Sequence, residues 1–155
     1  LRRRGVERFI GVDIYAEAAE AAERDRPGLY NEYIVGDMTD LSSDQNAVLG
    51  RYAINCMTCV AALGFGDIPP EVFAAAYNHV ADDGWVGFTI KTDFMADDDP
   101  SGFSKLIKRM VDEGAMSIAT REKYLHRINT DGTELHYEAF IGRKHAGIPD
   151  RWLGD

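Results

Sequence analysis

An apolar run that stops at an acid and passes directly into helix-forming residues sits near the start of this chain. Phe9-Ile10-Gly11-Val12 reads as a short strand, Asp13 ends it, and residues 16–25 follow as a helix. An Asp at the carboxyl end of a parallel strand in an α/β sheet is placed to accept hydrogen bonds from a ribose diol. The same Asp can instead cap the next helix, since Asp is favoured there and suits the positive end of the dipole. The residues around Asp13 alone leave both readings open.

The chain then repeats the theme. Residues 16–24, Ala-Glu-Ala-Ala-Glu-Ala-Ala-Glu-Arg, are strong helix formers with small Ala faces suited to packing on a sheet, and Pro27-Gly28 breaks the run. Residues 30–35 predict a second strand, and it too ends in an acidic turn, Gly36-Asp37-Met38-Thr39-Asp40. Residues 41–50 read as a polar connection with room for one helical turn. A third strand lies within residues 53–60, nearly continuously apolar, as expected of a central parallel strand covered on both faces. After the loop Gly64-Phe65-Gly66-Asp67, Pro69-Pro70 starts a helix that stops at Asp82-Asp83-Gly84.

Residues 85–90 predict a fourth strand, and residues 91–100 an acidic irregular segment. Residues 102–113 predict an amphipathic helix with Phe103, Leu106, Ile107, Met110 and Val111 on one face. Two further strands, residues 115–128 and 134–143, flank Asn129-Thr130-Asp131-Gly132-Thr133, where Asp-Gly is a hairpin signal. Four strands alternating with helices, then a hairpin, predict an α/β fold: a mostly parallel, Rossmann-like sheet with helices on both faces and an antiparallel hairpin at its end.

Composition narrows the function. At 155 residues the chain has the size of one domain, spanning residues 1–155, and 45% hydrophobic content suffices for a core. A net charge of −9 argues against a grip on nucleic-acid phosphates or an anionic membrane, and Arg2-Arg3-Arg4 is too small a patch to reverse that. No apolar run approaches the ~18 residues of a membrane span. Cys56-x-x-Cys59 suggests a redox or zinc site, but zinc takes about four ligands and no second Cys/His pair has suitable spacing. The apolar flanks favour small buried thiols, kept reduced as in a cytoplasmic protein, and no metal is expected.

Two consecutive strands ending in acids carry the functional argument. In a parallel sheet with short crossovers, consecutive strand ends lie side by side along one edge. Asp13 and Asp37 can then line one nucleoside pocket, the first at the ribose and the second at the adenine amine.

The ordered pattern Phe9-Ile10-Gly11-Val12-Asp13-Ile14, Gly36-Asp37-Met38-Thr39-Asp40-Leu41, Cys59-Val60-Ala61-Ala62-Leu63 and Asp83-Gly84-Trp85-Val86-Gly87-Phe88 resembles class I S-adenosylmethionine-dependent methyltransferases, closest to their small-molecule branch. The resemblance runs from Leu1 to Lys144. It implies Asp13 on the cofactor's ribose hydroxyls, Ile14 against the adenine, Asp37 on the adenine amino group with Gly36 and Met38 beside it, and Cys59 and Val60 near the methionine part. It also implies S-adenosylmethionine as cofactor, S-adenosylhomocysteine as product and a small-molecule methyl acceptor. Proximity and alignment can do most of the work of in-line methyl transfer, with a general base depending on the acceptor.

One departure stands out. The family's first strand and glycine-rich loop have no counterpart here, and Leu1-Arg2-Arg3-Arg4-Gly5 reads as the tail of a helix. The expectation is an N-terminally truncated piece whose exposed sheet invites self-association.

No catalytic residue is assigned. His79, His126, His136 and His145 lie in no motif, and Tyr124 and His136-Tyr137 fall on the terminal hairpin. The acidic residues 93–99 lack Ca²⁺-loop spacing and suit a solvated rim over the acceptor. Two other readings compete. An NAD-dependent oxidoreductase also uses an Asp after its second strand, but no Gly-x-Gly-x-x-Gly occurs here. A non-catalytic or partner-dependent domain of the same fold is the other.

Overall fold

The computed structural model describes residues 5–153, and the chain divides into two compact units, Leu1–Tyr52 and Ala53–Asp155. The first unit holds β1 (Ile10–Asp13), α1 (Ala16–Asp25), β2 (Glu32–Val35) and α2 (Ser43–Arg51). β1 and β2 pair in parallel from Ile10–Glu32 to Asp13–Val35. Asn31 seats the start of the pair: its amide accepts the Phe9 N–H at 2.9 Å while its own N–H donates to the Phe9 carbonyl at 2.8 Å. The expected helix tail at Leu1–Arg4 lies outside the described residues, and Gly5 stands in a turn.

α2 corrects the polar connection expected over residues 41–50. Its only buried residue is Leu49, so apolar periodicity could not announce it; a capping box does the work instead. The Ser42 hydroxyl accepts the Gln45 N–H at 3.3 Å and the Gln45 side chain accepts the Ser42 N–H at 2.9 Å. Such a reciprocal cap stabilises a helix start by about 1 kcal/mol.

The second unit holds β3 (Cys56–Leu63), α3 (Pro70–Asn78), β4 (Trp85–Lys91), a 3-10 turn at Thr92–Met95, α4 (Phe103–Asp112), β5 (Met116–Ile128), β6 (Glu134–Lys144) and a 3-10 turn at Asp150–Trp152. Its sheet runs in the order β3-β4-β6-β5, with β3 parallel to β4 and the other pairings antiparallel. The hairpin therefore turns inward, and its second strand lies beside β4. The turn between β5 and β6 closes through the Asn129 N–H on the Thr133 carbonyl at 2.8 Å, with Gly132 at φ 85.

Alternation along β4 sets the core. Val86, Phe88 and Ile90 are buried with Phe140 of β6, Phe73 and Tyr77 of α3, and Phe103, Leu106, Ile107 and Met110 of α4. Phe88 stacks on Phe140 with centroids 4.9 Å apart and meets Phe73 edge-on at 5.3 Å. Val111, expected on the same helical face, stays exposed.

The two helices and this core occupy one side of the sheet. Within this unit β3 therefore gives one face to the core: Met57 and Cys59 pack against it, whereas Cys56, Thr58 and Val60 are exposed. Lys144 is a buried charge at 4% exposure. Its ammonium donates to the carbonyls of Asn78, at 3.3 Å, and Val80, which lie where α3 ends and its backbone acceptors need donors. Among the described residues no helix is long and apolar enough to cross a membrane.

Candidate functional site

In the first unit the structure brings Asp13, Ile14, Gly36, Asp37 and Met38 to the carboxyl ends of a parallel strand pair. The last paired residues are Asp13 and Val35, and the Gly36 N–H donates to the Asp13 carbonyl at 2.9 Å, so the two acidic turns begin side by side. Asp13 is not the cap of α1. Tyr15 occupies that position and makes no side-chain cap hydrogen bond. One carboxylate oxygen of Asp13, Oδ1, accepts the Tyr15 N–H at 2.9 Å, which orients the side chain. Among the described residues its Oδ2 makes no hydrogen bond. Ile14 follows at 53% exposure, an apolar surface next to that carboxylate.

Asp37 is organised differently. Its Oδ1 accepts both the Thr39 hydroxyl, at 2.7 Å, and the Thr39 N–H, at 2.8 Å. These bonds, the hydroxyl first, hold its carboxyl below the usual carboxylate range. Any stability the turn gains from that charge is present above the ordinary range and is lost only as the pH falls through the lowered value. Gly36 has a local reason to be glycine: a Cβ there would come within 2.9 Å of Gln45 Nε2, which donates to the Val35 carbonyl at 2.9 Å. The side chain that builds the α2 cap thus also fills the space beside the turn.

In the second unit, Cys59 and Val60 lie in the middle of β3, where its regular pairing with β4 ends. Cys59 packs against the core, and burial pushes its thiol up to about 11, while Cys56 is raised by the same cause. Neither cysteine is in a disulfide. A thiol this far above neutrality reacts slowly. At about pH 7.5, Cys59 should alkylate with iodoacetamide roughly 300-fold more slowly than a thiol of ordinary pKa near 8.5, gaining about tenfold per pH unit. Peptide mass spectrometry reads the rate; fast labelling of Cys59 at neutral pH would overturn the inert assignment.

The histidines do not assemble a catalytic group. His79 ends α3, its pKa lowered first by burial and then by Lys144. The His145 ring meets the Ser117 hydroxyl at 2.7 Å, and His136 stands 3.5 Å from Glu134. His126 packs on Tyr137 with centroids 4.3 Å apart, beside Tyr124. In the acidic segment, Asp93 pairs with Lys91 at 2.5 Å, and Asp99 accepts the N–H groups of Ser101 and Ser104 at the start of α4. Among the described residues no three or more His, Cys, Asp or Glu side chains gather as metal ligands.

Sequence reasoning missed Ala61 and Thr89. Ala61 has φ 57 inside β3, and its N–H donates to the Thr89 hydroxyl at 2.8 Å. Nothing local in Cys59-Val60-Ala61-Ala62 marks a left-handed residue.

No family model matches this chain, and no curated protein matches it. Solved structures do. A methyltransferase dependent on S-adenosylmethionine from Methanosarcina mazei aligns over 88% of this chain and 82% of its own, with a TM-score of 0.58 at 13% identity. The N-methyltransferase NodS of Bradyrhizobium japonicum, in complex with S-adenosylhomocysteine, aligns over 88% and 66%, with a TM-score of 0.57 at 11% identity. The chain has the class I methyltransferase fold. A [4+2]-cyclase, SpnF, shares this fold too, aligned over 90% and 67% with a TM-score of 0.58 at 13% identity. The methyltransferase fold is therefore a frame for more than one chemistry, and function has to be argued from the site.

Proposed function

We propose that this protein is an S-adenosylmethionine-dependent methyltransferase acting on a small-molecule acceptor. One observation carries the reading: two acidic turns begin side by side at the carboxyl ends of paired parallel strands, the edge at which open α/β sheets meet nucleotides. The residues fit the cofactor's nucleoside half. Asp13 Oδ2 suits the ribose hydroxyls, Ile14 gives the adenine an apolar surface, and Asp37, kept ionised by Thr39, accepts from the exocyclic amine. Gly36 and Met38 flank that contact.

When bound, the cofactor supplies an electrophilic methyl group on its sulfonium. The chain's own contribution is to bind and orient, which is the larger part of catalysis for an in-line transfer. A general base enters only if the acceptor is protonated at its nucleophilic atom. Calorimetric titration of the full-length protein with S-adenosylhomocysteine tests the reading. Saturable binding well below ~1 mM is expected, and its absence at that concentration sinks the proposal.

A second reading keeps the fold and drops the methyl transfer, as the likeness to a protein described as a cyclase invites. Cofactor binding without methyl release to any of a panel of amine, hydroxyl and thiol acceptors would favour it.

A further inference from the structure

β5 departs from β6 near the tip of the hairpin. The Leu125–His136 pair is followed by Arg127–Leu135, so His126 is an extra residue on β5, a bulge. Side chains alternate between the faces of a strand, so in a regular strand Tyr124 and Arg127 would face opposite ways. The bulge cancels that alternation. Tyr124 stands opposite Tyr137 and Arg127 opposite Leu135, and Leu135 and Tyr137 share a face of β6. From the other side, Lys91 of β4 stands opposite Tyr137. Lys91, Tyr137, Tyr124 and Arg127 thus share the sheet face turned away from Ile90 and Phe140, which belong to the core.

Tyr137 is the centre of this group and is only 4% exposed. His126 lies on its ring with centroids 4.3 Å apart, and Tyr124 stands at 6.3 Å, its hydroxyl 3.4 Å from His126 Nδ1. Among the described residues no group bonds the Tyr137 hydroxyl, and its oxygen is not sealed from solvent. Burial pushes the Tyr137 phenol up, while the Arg127 and Lys91 charges act on it in the opposite sense. At neutral pH it is therefore an O–H donor with two cations near it. Lys91 is already paired with Asp93 at 2.5 Å. Arg127 is exposed and has no carboxylate partner among the described residues.

We propose that this end of the hairpin binds a small carboxylate, with the Tyr137 hydroxyl donating to one oxygen and the Arg127 guanidinium pairing with the carboxylate. A donor on a buried ring with no protein acceptor gains from an anionic one, and the planar guanidinium matches a carboxylate better than a point charge would. With Lys91 balanced by Asp93, the charge left at the site is that of Arg127, which suits a monoanion over a phosphate dianion. The bulge is what brings the two donors to one face, as bulges do where a side chain is re-aimed. All of these residues belong to the second unit, and the proposal stands apart from the cofactor reading above.

The test follows the amide resonances of the full-length protein by NMR as sodium acetate is added at constant ionic strength, with chloride and inorganic phosphate as comparison anions. Saturable shifts at Tyr137 and Arg127 are expected, with a dissociation constant on the order of 1–10 mM for so small a probe. Tyr137→Phe keeps the ring and removes the donor, and Arg127→Gln removes the charge; each should weaken acetate binding about tenfold. Lys123→Gln changes a charge on the opposite face and should leave binding as in the wild type. All three variants should melt as the wild type does, because the Tyr137 hydroxyl and Arg127 have no protein partner to lose. Equal shifts with chloride, or wild-type affinity in either folded variant, overturn the proposal. Phosphate binding more tightly than acetate overturns the choice of a carboxylate. If Tyr137→Phe melts early, the exposed Arg127→Gln decides the test by itself, and failure here leaves the cofactor reading untouched.

Discussion

Replacing Asp13 with Ala is expected to weaken S-adenosylhomocysteine binding on the order of 10²-fold, because the proposed site would lose two charge-assisted hydrogen bonds to the ribose diol, each about 1.5–3 kcal/mol before compensation. The Ala variant also removes the acceptor for the Tyr15 N–H, so part of its effect passes through the entry to α1. Asp13→Asn separates the two. It keeps an oxygen for Tyr15 while removing the charge, and it should retain the wild-type melt with about a tenfold loss of affinity. Calorimetric titration of both variants beside the wild type reads the result. Unchanged affinity in Asp13→Ala would remove Asp13 from the site and leave it as an orienting turn residue only.

Phe88→Ala is expected to cost the second unit about 3–5 kcal/mol, the range for deleting a fully packed aromatic side chain. Phe88 is 1% exposed, stacked face to face on Phe140 and met edge-on by Phe73, so no neighbour can fill the space without giving up its own packing. Against a total stability of about 5–15 kcal/mol for a typical domain, this is enough to leave an appreciable unfolded fraction. Urea unfolding followed by circular dichroism measures it, and Phe88→Leu should cost roughly 1.5 kcal/mol or less because it conserves most of the volume. A shift under about 1 kcal/mol for Phe88→Ala would contradict a core centred on this residue.

Much of the architecture is legible without coordinates. The helix at Ala16–Asp25 follows from an Ala/Glu run with Pro-Gly beyond it, and α4 follows from its apolar face. The hairpin is announced by Asp-Gly between β-like runs. These features depend on neighbours a few residues away, which a sequence displays directly. The α2 helix escaped because its apolar content is small, although Ser42 and Gln45 have the spacing of a capping box.

Long-range choices were less visible. That β6 and not β5 pairs with β4 depends on partners more than 40 residues apart, such as Phe88 and Phe140. The Lys144 ammonium, directed at the end of α3, reads in the sequence as one more surface charge.

The sequence by itself determined the kind of every main element except α2, and the two acidic turns that follow β1 and β2, because periodicity and turn chemistry are local properties of the chain. Tertiary structure decided where those acids stand relative to each other and how β3 ends. Asp13 could have been a cap until the structure put Tyr15 in that position and the Gly36 N–H on the Asp13 carbonyl. The left-handed Ala61 gives its N–H to a hydroxyl 28 residues away. Such a conformation is paid for by contacts between distant residues, so no window of sequence around Ala61 could have displayed it.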